Sequence, residues 1–170
     1  GDIVYASPGN DSYIFQPSTN VNSWVDLVYD YVTGPINVSI NGPANTGTIV
    51  KSGQGTDTLV NVQNALYEDG QSFNVFGSRG NDIFTINGGT KSWMQVIGGE
   101  GADTYNLTLT GTIRVILAYS WERNALFGNV VNLATGQILN DGFGNAEALN
   151  ITDAGGRLQL ETSDLNDNVT

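Results

Sequence analysis

Apolar and polar positions take turns along this chain only over short stretches. DSYIF, NVSI, GTIV, DTLVNV, FNVF, DIFTI, MQVI, DTYNL, TIRVILAY, NVVNL and RLQL are each bounded by Gly, Asn, Asp or Ser. Val, Ile, Thr, Tyr and Phe dominate them, and those side chains suit a pleated, half-buried surface. Runs of this length and composition predict strands. The alternation is imperfect in places: Ile83, Phe84 and Ile86 do not alternate cleanly.

The turns between the strands repeat. A frame of small-x-x-Gly-x-Asp-x-apolar fits ASPGNDSYIF (6–15), SGQGTDTLV (52–60), GSRGNDIFTI (77–86) and GGEGADTYNL (98–107). DGFGNAEAL (141–149) is a weaker copy with Glu147 one place late, and TSDLNDNVT at the end carries Asn166 for the glycine and Asp167 one place early. The frame's glycine falls at Gly9, Gly55, Gly80, Gly101 and Gly144, then roughly at Asn166, with gaps of 46, 25, 21, 43 and 22 residues. The long gaps are near twice the short ones. Two further turns, at Val32-Thr33-Gly34-Pro35 and at Trp121-Glu122-Arg123-Asn124, complete the series. A longer echo links 38–62 to 130–151: each is a short strand, a glycine turn, a second strand and a Gly-x-Gly stretch, offset by 89 residues. A fixed period of this size signals stacked repeats. The expected fold is all-β, a parallel β-solenoid of about seven coils of 21–25 residues. At about 4.8 Å per coil it would be a rod roughly 34 Å long. Residues 1–170 read as one module that continues into neighbouring repeats of a larger chain.

Glycine at 22 of 170 residues reinforces the turn-rich reading, and good helix formers are scarce. The formal net charge of −11 disfavours nucleic acid and anionic lipid as partners and favours cations. No apolar run approaches membrane-spanning length. The chain has neither Cys nor His, which removes disulfides, the usual zinc sites and Ser-His-Asp or Cys-His nucleophiles. A metal would have to be held by oxygen alone, which points to Ca²⁺.

Each turn can supply such oxygens. In Gly80-Asn81-Asp82, Gly80 allows a bend that turns carbonyls one way, and Asp82 adds a carboxylate. One turn makes half a ring, and an identical turn stacked on it completes the 6–8 oxygens of a Ca²⁺ site. Gly80/Asp82 with Gly101/Asp103 forms the first candidate pair, and Gly55/Asp57 with Gly80/Asp82 the second. Asp11 is a further candidate with no adjacent motif. Glu147 reads as a solvated surface acid, although placed to add to the series. The competing reading of every copy is an ordinary tight turn that uses Gly and Asp for backbone reasons.

GGEGADTYN (98–106) matches Gly-Gly-x-Gly-x-Asp-x-apolar-x, with Tyr105 at the aliphatic place. GSRGNDIFT (77–85) and SGQGTDTLV (52–60) match with one small residue substituted. The frame thus resembles a degenerate form of the RTX (repeats-in-toxin, haemolysin-type) calcium-binding repeat. The resemblance implies Ca²⁺ held between coils by Asp57, Asp82 and Asp103, then Asp11. It implies a structural module of a secreted or surface bacterial protein that folds on meeting calcium outside the cell. The chain departs from that family in its longer coil with one motif each, which would put ions on one edge only.

Trp24, Trp93 and Trp121, with Tyr29, Tyr31 and Tyr119, could form a sugar-stacking face, or else core and end-cap packing. A carbohydrate-binding or adhesin segment for polysaccharide or cell-surface glycan is therefore an alternative. A non-catalytic part of a polysaccharide-active enzyme is another. With no His, and no carboxylate pair singled out for glycoside chemistry, the chain itself reads as a non-enzyme.

Overall fold

The structure, a computed structural model, describes residues 1–17, 23–64, 72–87, 91–110, 112–118, 130–132, 135, 137–154, 157–161, 165 and 168–169. The turn at 121–124 with Trp121, as well as Tyr119, Asn166 and Asp167, lies outside these residues.

The alternating runs become strands. They are β1 (Asp2–Tyr5), β2 (Ser12–Ile14), β3 (Trp24–Val28), β4 (Ile36–Asn41), β5 (Thr46–Lys51) and β6 (Gly55–Val60), then a 3-10 turn at Val62–Asn64. After it come β7 (Ser72–Phe76), β8 (Ile83–Asn87), β9 (Lys91–Ile97), β10 (Thr104–Thr110) and β11 (Thr112–Ala118). The last are β12 (Val130–Asn132), β13 (Gln137–Asn140), β14 (Glu147–Ala154), β15 (Arg157–Glu161) and β16 (Asn168–Val169).

The strands form two sheets. One has six strands in the order β1-β3-β7-β9-β11-β15, all parallel. The other has ten, in the order β16-β12-β13-β14-β10-β8-β4-β5-β6-β2. In this second sheet β4/β5, β5/β6, β12/β13 and β13/β14 are antiparallel. The all-β expectation holds, but the parallel solenoid of about seven coils does not form: one sheet is mixed, and neither is closed or coiled.

The antiparallel pairs have a local cause. After β4 the chain reads Gly42-Pro43-Ala44-Asn45, and it turns back at once. Asn45 N donates to Gly42 O at 2.9 Å, Ala44 N donates to Asn41 Oδ1 at 3.1 Å, and Asn45 takes φ 59°. Pro and Asn here favour a tight turn over a crossing to the other sheet. The next turn, Ser52-Gly53-Gln54, reverses the chain again into β6. The β12-β13-β14 segment repeats the same antiparallel path. The echo between 38–62 and 130–151 is thus a three-stranded antiparallel insert used twice.

One apolar core lies between the sheets. Phe73, Val75, Met94, Val96, Val115 and Leu117 enter it from the parallel sheet, and Val38, Ile49, Leu59, Phe84, Tyr105 and Leu107 from the mixed one. Phe84 and Tyr105 stack with ring centroids 5.3 Å apart. Ile83 faces out, which removes the apparent break in the pattern of β8.

Candidate functional site

The glycine-aspartate turns stack in two sets. Turn 9–11 lies on turn 55–57: Gly9 N donates to Gln54 O at 2.7 Å and Thr58 N to Asp11 O at 2.8 Å. In the second set, the turn at 33–35 lies on turn 80–82, which lies on turn 101–103. Ile36 N donates to Asp82 Oδ1 at 2.7 Å, and Thr104 N to Asp82 O at 2.9 Å. Two strands, β5 and β4, stand between β6 and β8. Asp57 and Asp82 are therefore about three strand spacings, or roughly 14 Å, apart. They cannot share one ion, so the second candidate pair is dissolved. Asp11, read as having no adjacent motif, sits directly against Asp57.

The closeness of the turns explains the glycines. Gly101 holds φ 115°, and a Cβ on it would overlap Gly80 O. A Cβ on Gly55 would likewise overlap Gly9 O. The residue after each frame glycine joins the layers: Asn81 Oδ1 accepts from Ala102 N at 2.9 Å, as Asn10 Oδ1 does from Thr56 N at 2.7 Å.

The aspartates face inward. Asp57, Asp82 and Asp103 are essentially fully buried. Their oxygens already hold donors. Asp82 Oδ1 accepts from Ile36 N and from Ser78 Oγ, and Oδ2 accepts from Ser78 N at 2.6 Å. Asp57 Oδ1 accepts from Asp11 N at 3.1 Å, and Oδ2 from Tyr29 Oη at 2.8 Å.

Asp57 also has a cation of the chain's own. Lys51, itself buried, places Nζ 2.5 Å from Asp57 Oδ1, 2.6 Å from Ser7 O and 3.5 Å from Asp11 Oδ2. This ammonium bridges the two stacked turns where the calcium reading puts an ion. Burial, then the charges of Asp57 and Asp11, pushes the nearby Tyr13 phenol up to about 12. Burial and its bond to Asp57 raise Tyr29 as well.

Asp103 differs from its neighbours. Its Oδ1 accepts from Asp82 N at 2.8 Å, while Oδ2 accepts no hydrogen bond and lies close to Gly98, where a Cβ would overlap it. Burial pushes its carboxyl up to about 8; the Asp82 and Asp141 charges add to this, and the Asp82 amide opposes it. Burial also lifts Asp82, but only to about 6, because the Ile36 amide and Ser78 favour its charged form.

Glu147 corrects the reading as a surface acid. Ala148 pairs with Thr104, so Glu147 comes level with Asp103, and it is buried. The turn before it is one residue longer and is organised by Asp141, whose Oδ1 accepts from Phe143 N and Asn145 N.

Among the described residues, no group of three or more acidic side chains converges as a metal-ligand set. Asp57 and Asp82 do not fit a calcium ion in this arrangement, because their oxygens are directed at N–H and O–H donors. Asp103 offers one oxygen.

Comparison with family models, with curated proteins and with solved structures finds no match. The likeness to RTX repeats therefore rests on the motif residues alone.

Of the tryptophans, Trp24 is partly exposed on the outer face of the parallel sheet. Trp24 pairs with Ser72, and Ser72 with Trp93, so Trp24 and Trp93 stand in one row two strands apart. Beside them Asp26 and Asn74 form a buried pair, with Asn74 Nδ2 donating to Asp26 Oδ1 at 2.6 Å. Neither Lys51 nor this pair was singled out in the sequence. The signal for Lys51 was its rarity, as one of six basic residues placed next to a glycine-aspartate frame.

Proposed function

We propose that the chain is a non-catalytic structural module whose layers are fastened by inward-facing carboxylates. One observation carries this reading. Asp82 accepts from the backbone of the layer on one side, at Ile36 N, and its own N–H donates to Asp103 on the other. A carboxylate that receives backbone amides satisfies donors that a stacked turn would otherwise bury bare. The same residue type at the same place in each turn then serves cohesion between layers. Asp82→Ala tests the reading: it strands Ile36 N, Ser78 N and Ser78 Oγ, a cost of about 3 kcal/mol or more. A melting temperature unchanged in that variant would overturn the reading.

Calcium, with folding outside the cell, is the second reading. The bare Oδ2 of Asp103 favours it, since a bound cation there would hold the carboxylate charged. A melt with EGTA and then with excess Ca²⁺ separates the two. Fastening by carboxylates predicts no change, and the calcium reading predicts a large one.

A further inference from the structure

We propose that the outer face of the mixed sheet binds ice. The proposal goes beyond the structural role above and rests on the register of seven neighbouring strands.

From β2 through β6, β5, β4, β8 and β10 to β14, the outward residues fall into three rows. The middle row runs Thr58, Thr48, Ser39, Thr85, Asn106 and Asn150 after Ser12 at its edge. The row on either side holds Thr and Asn with the aliphatics Val50, Ile83 and Ala148 on one side, and Ile14 and Val60 on the other. No Asp, Glu, Lys or Arg stands in any of the three, in a chain of net charge −11. None of these pairings carries a register shift, so each row continues from strand to strand without a break. Within the middle row, Asn150 Nδ2 donates to Asn106 Oδ1 at 2.9 Å, which fixes both amides.

The result is a two-dimensional repeat of hydroxyl, amide and methyl groups. Its spacing is about 4.8 Å from strand to strand and about 6.7 Å from row to row. Ice is an uncharged solid whose surface oxygens repeat at comparable distances. Hydroxyls and amides can each hold a water at a lattice point, while exposed Val50, Ile83 and Ile14 order the water between them. A charged group would break that order by its own hydration, and none is present. A crystalline polysaccharide is the nearest competitor, but no aromatic ring stands in the three rows to stack on a sugar.

Nanolitre osmometry and an ice-recrystallisation assay on the whole chain test this. The expected result is a gap between melting and freezing points that widens with protein concentration, together with arrested crystal growth. T48K/T85K places two charges in the middle row at exposed positions and should abolish both effects while keeping the β spectrum and melting temperature. Y31K, off this face and highly exposed, should keep them. Absence of both effects in the unaltered chain overturns the proposal, as does their survival in T48K/T85K. Retention on cellulose or chitin powder, lost in T48K/T85K and without a freezing gap, would assign the face to polysaccharide instead.

Discussion

The backbone N–H of Asp82 donates to the carboxylate of Asp103 at 2.8 Å, across a parallel strand pair and 21 residues of chain. This bond lies at the centre of the second stack, and it leaves the other Asp103 oxygen bare. Burial of the two carboxyls, which the bond opposes at Asp103, makes stability depend on pH in the sense opposite to the usual one. Both carboxyls are raised, to about 8 for Asp103 and about 6 for Asp82. A raised carboxyl stabilises the fold while protonated. That stability is complete below the unfolded value near 4 and is lost as pH rises through the folded value. Melting temperature should therefore fall from pH 5 to pH 8. Between about 6 and 8, where of these two only Asp103 responds, its contribution to the slope is about 1.4 kcal/mol per pH unit at most. Asp103→Asn keeps a neutral side chain and an acceptor for the Asp82 amide. It should flatten the curve above pH 6 and make the variant the more stable form at pH 9, as thermal melts over that range will register.

Lys51 and Asp57 form a buried ion pair, and removing one member is worse than removing both charges. Lys51→Met should cost about 3–5 kcal/mol, which for a chain of this length lowers the melting temperature by about 6–20 °C. K51M/D57N should lose distinctly less. Denaturant melts of both variants would contradict the bridging role of Lys51 if the double variant were the weaker.

Gly101→Ala adds a methyl at a positive φ and against Gly80 O. Both penalties act together, and the turn cannot relax without separating two layers. Destabilisation of more than about 1 kcal/mol is expected. The equivalent change at Gly9, which has the positive φ but open space around it, should cost less. Equal losses at the two sites in urea melts would show that backbone strain alone matters.

EGTA should leave the β spectrum and melting temperature of the chain as they are, because Asp57 and Asp82 already hold their donors. A calcium site filled at a hundred times its dissociation constant would add about 2.7 kcal/mol. A rise of that order on adding Ca²⁺ would assign Asp103 to a bound ion.

The strands and their turns were readable because each carries local chemistry. The adjacency of Asp82 and Asp103 was readable too, as two copies of one phrase 21 residues apart. What the frame could not convey is direction. Gly80-Asn81-Asp82 reads the same whether the carboxylate is directed at an ion or at Ile36 N, and that choice depends on a turn 46 residues earlier. The gap of 46 residues between Gly9 and Gly55 looked like two coils with one motif lost. In the fold these two turns touch, because three strands of an antiparallel insert lie between the layers' partners. Gly42-Pro43-Ala44-Asn45 carries that information in its turn chemistry, which a repeat period does not register. Glu147 was misread for a related reason: one extra residue in its turn shifts the acid in sequence but not in register.

The two inserts also account for the inequality of the sheets. Each supplies three strands to the mixed sheet where a single crossing would supply one, and together they make it ten strands against six. Breadth on one side of the molecule is thereby uncoupled from the number of strands in the parallel sheet. A hairpin copied or deleted at Gly42–Asn45 would widen or narrow the outer threonine and asparagine face without lengthening the parallel sheet beneath it. For such a chain, the area offered to the outside can change without a change in the number of parallel strands, each added strand bringing inward residues of its own as β5 brings Ile49 and β6 brings Leu59.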